Sequence, residues 1–178
     1  MTEKSPKLMD KNKFDRMLAT NCADKIFTSM KNCKSYLHDP SQRATVEERY
    51  SLARSRYIEL KLADEEFDHS NSLEADLWRC LIEYELMRRE EKCRKFRSTR
   101  TRNAIRNEGI VQAVASSVRR GRLTVGKTYL IDNDLPEYSF ERIILKHAEF
   151  FEDEKVVEKA AISVEYYSDN KQKIFDAQ

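Results

Sequence analysis

Leu73, Leu77, Cys80, Tyr84 and Met87 follow one another at steps of 4, 3, 4 and 3. That is the period of one face of an α-helix, and it is incompatible with the two-residue alternation of a strand. The same rhythm runs through Val46, Tyr50, Ala53, Tyr57 and Leu60. A looser version, in steps of four and three, links Phe14, Leu18, Cys22, Ile26, Met30, Cys33 and Leu37. Three helices are therefore expected, over about 11–37, 45–67 and 73–87, the last continuing beyond its apolar seam.

Punctuation between them agrees. Pro40 disfavours helical angles at Asp39, and the polar stretch Asp68–Ser72 reads as a turn. Asn71, with Glu74 three residues on, reads as a helix N-cap. Only 3 Gly and 3 Pro occur in 178 residues, too few for the turns of an all-β chain. The fold class is all-α: an antiparallel three-helix bundle with a smaller C-terminal helical subdomain. The expected division is a frayed 1–10, a bundle over 11–97, and a basic-to-acidic subdomain over 98–178. Tyr50, Tyr57, Leu77, Leu81 and Tyr84 are expected in the core, with Trp78 beside them.

Further along, Ser98, Thr99 and Thr101 are plausible caps where the third helix breaks and restarts, and Gly109 is a stop. A short apolar helix is expected over 110–120. Ser139 caps another after Pro136, and a last helix runs from about Asp153 to Tyr167.

The net charge of +2 conceals a strong asymmetry. Residues 1–87 hold 14 Lys/Arg against 16 Asp/Glu, residues 88–127 hold 13 against 3, and residues 128–178 hold 6 against 12. A basic block thus lies between two acidic ones, which bears on partners and not on fold. Within it, Arg88, Lys92, Lys95, Arg102 and Arg106 repeat at helical spacing. A continuous helix would align them in a stripe about 27 Å long, thickened by Arg94, Arg97, Arg100, Arg119, Arg120 and Arg122. The candidate nucleic-acid-binding residues are Arg88, Lys92, Lys95, Arg100, Arg102, Arg106, Arg119 and Arg120. Such a stripe suits phosphates, spaced about 1.7 Å along duplex DNA, more than base edges. Phe96 is the only aromatic among them, so base stacking has little support.

Other motifs are weaker. Gly121–Thr128, GRLTVGKT, fits the phosphate-loop pattern, but the preceding VASSVRR reads as a helix end where that chemistry needs a strand. The match is taken as accidental, and no cofactor is expected. Glu59 and Lys61 resemble a nuclease pair in spacing, yet a helix turns them roughly 200° apart. Cys22, Cys33, Cys80 and Cys93 form no C-x-x-C pair, and with three His no zinc pattern can be drawn. Free thiols and a polar N-terminus fit a reducing cytoplasm. No apolar run approaches the roughly 20 residues of a bilayer span.

A helix-turn-helix over 102–120 would place a helix rich in Ala, Ile and Val in the groove, with few base-reading side chains. The leading expectation is a non-enzymatic nucleic-acid-binding protein, in a regulatory setting. The alternative is a protein-interaction module (inhibitor, antitoxin or assembly adaptor) that binds an acidic partner protein. The seam helices offer a route to a homo-oligomer. The plainest reading of the basic block is a helix paired with the chain's own acidic tail.

Overall fold

In the computed structural model, residues 8–92, 94–120 and 139–175 are described, with side chains of the last helix described through Tyr166. All regular elements among them are helices, with no strand. The α-helices are α1 (Lys11–Leu18), α2 (Ala23–Lys34), α3 (Arg43–Ala63), α4 (Ser72–Lys92), α5 (Thr99–Glu108), α6 (Ile110–Arg119), α7 (Phe140–Lys146) and α8 (Glu154–Phe175), with a 3-10 turn at Ala148–Phe150. No described helix is long and apolar enough to cross a membrane. The all-α class holds.

The chain groups into two compact units, Met1–Glu66 and Phe67–Gln178. The first unit contains α1, α2 and α3. Where one helix was expected over 11–37, two form, separated at residues 19–22. The apolar rhythm crosses this gap unbroken, but the hydroxyl of Thr20 accepts the Cys22 N–H at 2.9 Å and offers the backbone a local alternative to helix. Arg56 of α3 then takes up what the break exposes. Its Nε donates to the Leu18 carbonyl at 3.2 Å and its Nη2 to Asn21 Oδ1 at 3.2 Å.

Helices α2 and α3 run antiparallel. Phe27, early in α2, meets Tyr57 late in α3 (ring centroids 6.3 Å apart), while Lys34, at the end of α2, lies over Tyr50. Phe14, Ile26, Met30, Cys33, Val46, Ala53, Tyr57 and Ile58 are buried in this unit. Each fully buried large aliphatic side chain contributes about 1.5–3 kcal/mol through burial. Tyr50, expected in the core, is only half-buried.

In the second unit α4 is buried around most of its circumference. Besides the seam residues Leu73, Leu77, Cys80 and Met87, the side chains of Trp78, Leu81, Ile82 and Leu86 are buried, while Tyr84 is half-buried. A helix apolar on so many sides belongs at the centre of a unit. It packs against α6 and α7, and α8 lies against both of those. Two of the caps expected from sequence, Asn71 and Ser139, make their bonds. Asn71 Oδ1 accepts the N–H groups of Leu73 and Glu74, and Ser139 Oγ accepts that of Arg142. Gly109 joins α5 to α6 at φ 78° and ψ 157°, a conformation that is essentially restricted to glycine.

Candidate nucleic-acid interface

A continuous stripe requires a helix through residues 88–106, and the chain instead breaks and restarts with Ser98 at the new N-cap, one of the positions noted in the sequence. α4 ends at Lys92, residues 94–98 are non-helical, and α5 begins at Thr99. The cations therefore reach the surface in two groups and not along one rail.

Phe96 anchors the link between α4 and α5. Its ring meets Tyr84 edge-on at 5.9 Å, with the Arg88 guanidinium 5.7 Å and the Lys92 ammonium 5.3 Å from the ring centroid. Arg88 also pairs with Glu91 at 2.7 Å and is mostly covered. Around this anchor Arg94, Lys95 and Arg97 in the link, Arg100 in the first turn of α5, and Lys92 at the end of α4 are exposed. Residues 94–106 contain no Asp or Glu. The first turn of any helix also presents amides without intrahelical acceptors and the positive end of its dipole. Arg106 is exposed farther along α5, where it donates to Asn103 Oδ1 at 3.3 Å.

Arg102 does not join them at the surface. Its side chain is 8% exposed and grips Glu85 with a two-pronged contact, Nε to Oε1 and Nη2 to Oε2, both at 2.8 Å. Its guanidinium lies 5.3 Å from the Trp78 ring centroid. The helical spacing that aligned Arg102 with the other cations turns it toward α4 once the helix is broken. A charge so covered is held by its partner, so Arg102 serves the fold.

At the far end of the basic block the charge is partly met internally. Arg119 pairs with Asp153 at 2.8 Å, and Lys159 of α8 donates to the Arg119 carbonyl at 2.6 Å. Arg120 is exposed, with its Nε on the Ser116 carbonyl. In α6 one face, Ile110, Ala113, Val114, Ala115 and Val118, is buried in the unit, while Gln112, Arg119 and, at its C-cap, Arg120 are exposed. Gly121–Thr128 and Arg122 lie outside the described residues.

Two features escaped the reading of the sequence. One is Glu85, which accepts the Ser98 N–H at 2.6 Å as well as clasping Arg102. The available signal was a carboxylate set between Leu81, Ile82, Leu86 and Met87. The other is a cavity of about 450 Å³ in the first unit, lined by Phe14, Cys33, Tyr36 and Arg49 among others. Burial pushes the Cys33 thiol above its ordinary value although Arg49 opposes the shift, which disfavours the nucleophilic thiolate. Glu59 and Lys61 are engaged separately on α3, with Arg56 and Asp64. No family model, curated protein or solved structure matches this chain.

Proposed function

We propose that this chain is a non-enzymatic nucleic-acid-binding protein that contacts the phosphate backbone through Arg94, Lys95, Arg97 and Arg100, with Lys92 and Arg106 flanking. The observation that carries the reading is the exposure of these side chains on a stretch without acidic residues, beside the N-terminus of α5. Guanidinium and ammonium groups neutralise phosphates and release condensed counterions, without needing to read base edges. Arg88 and Arg102 stand behind the surface as supports for the link, and Arg119 is shared with Asp153.

The salt dependence of binding tests this directly. Four neutralised phosphates on duplex DNA give a slope of log K against log salt of roughly −3.6, from about −0.9 each. Replacing Arg94, Lys95, Arg97 and Arg100 together by Gln should abolish most of that slope and weaken all sequences alike. Retention of the full slope would place the contact elsewhere.

A second reading has its own support. Arg119 with Asp153 shows a cation of the basic block already engaged with a carboxylate, so an acidic protein surface is the competing partner for the same exposed set. Absence of binding to duplex DNA, single strands and RNA at low salt, with stable capture of an acidic protein that the same four substitutions abolish, would favour that interaction module.

A further inference from the structure

A short segment dense in Arg and Lys gains nothing from its own charges in becoming ordered, and fixing each residue costs about 1–2 kcal/mol in backbone entropy. Residues 94–98 are nevertheless tied down at defined points. Phe96 packs on Tyr84. At the other end the Ser98 N–H and the Arg102 guanidinium both converge on the Glu85 carboxylate, at 2.6 and 2.8 Å. Ser98 is the N-cap residue of α5 and its side chain makes no cap bond, but its own N–H is taken by the carboxylate from α4, the bond that a capping box draws from within the helix. Glu85 thus holds the last residue of the link and the first turn of the next helix with one functional group. Its grip is reinforced because Arg102 is itself laid over Trp78.

We propose that Glu85 is a positioning residue for phosphate binding, presenting Arg94, Lys95, Arg97 and Arg100 as a preformed set; this rests on the nucleic-acid reading above. Glu85 need not touch the ligand. A carboxylate beside a cationic patch lowers the local potential, so Coulomb attraction alone says that removing it strengthens phosphate binding. Preorganisation says the opposite, since a set that is already ordered loses less freedom on binding. The two effects differ in sign.

The test uses the full chain and a short DNA duplex at low salt. Glu85→Gln keeps the size of the side chain and gains one unit of net positive charge, but it loses the ionic clasp. The expected result is preserved helix content and cooperative melting, with affinity about threefold to tenfold weaker despite the added charge, and a salt slope flatter by about one. Trypsin cuts after Arg94, Lys95 and Arg97, and cleavage there relative to cleavage after Arg119 should rise about tenfold, because a charge-assisted bond that closes the link is gone. Arg102→Lys leaves the net charge unchanged and removes the two-pronged geometry, so it should shift both readouts in the same direction.

Equal or tighter binding by a folded Glu85→Gln chain overturns the proposal, as does acceleration of cleavage by the same factor at every site. Should Glu85→Gln fail to fold, Arg102→Lys decides by the same two readouts; if neither variant folds, Glu85 determines the fold and the positioning role is overturned. The two levels separate cleanly. Failure of the unaltered chain to bind any nucleic acid removes the functional reading and the positioning role that rests on it, whereas binding that Glu85→Gln leaves intact removes the positioning role alone.

Discussion

His147 Nε2 lies 2.8 Å from Asp76 Oδ2, tying the residue that ends α7 to the second turn of α4 across 71 residues of sequence. Lys146 reaches the same oxygen at 2.5 Å. Burial by itself would raise the Asp76 carboxyl, but the hydrogen bonds and charges of His147 and Lys146 outweigh it and hold the group below its usual value. The acidic form is therefore disfavoured in the folded chain relative to the unfolded one. This contribution to stability is fully present above the ordinary carboxylate value of 3.8 and is lost as pH falls through the lower folded value. Asp76→Asn should thus be less stable than the unaltered chain at neutral pH, with the difference shrinking below about pH 4. Urea unfolding across pH 3 to 7 measures it, and a difference independent of pH would exclude an ionised Asp76 from the contact.

Arg102 and its neighbour Arg106 should part company. Breaking a covered ion pair by removing one partner costs about 3–5 kcal/mol, so Arg102→Met should lower stability steeply through the charge stranded on Glu85. Arg106, exposed on the same helix, should tolerate Ala within about 0.5 kcal/mol. Denaturant midpoints of the two variants decide the matter, and similar midpoints would put Arg102 back at the surface.

Leu77 is completely buried in the second unit, while Glu59 of the first is exposed. Leu77→Ala should cost about 2–5 kcal/mol, from lost burial and the cavity left behind. Glu59→Ala removes only an exposed pairing with Arg56 and should cost under about 1 kcal/mol. Melting curves of the two variants provide the comparison, and equal losses would mean that α4 does not centre its unit.

Thiol reactivity should follow burial. Burial raises the Cys80 thiol, and the nearby carboxylates of Glu141, Glu83 and Asp76 raise it further. Cys33 is raised by burial too, whereas Cys22 is only half-buried. In a Cys93→Ser background, a thiol-specific disulfide reagent should modify Cys22 first and reach Cys33 and Cys80 only on unfolding. Rapid native labelling of Cys80 would show that α4 is open to solvent.

Local features of this sequence determined its local structure. The 4-3 apolar spacing specified helices, and Asn71, Ser139 and Gly109 marked ends where the structure has them, because helix period and capping depend on residues within a turn or two of each other. The same spacing also misled in two places. It carried a helix through residues 19–22, where Thr20 turns the backbone, and it aligned Arg102 with Arg88 across a link that is not helical. Only the tertiary structure decided which cations face solvent. Arg102 and Arg100 look alike in sequence, but one can be covered because Glu85 and Trp78, far back on α4, meet its charge and its plane. Whether a charge can leave water depends on a partner brought by folding, and neither periodicity nor composition contains that distance.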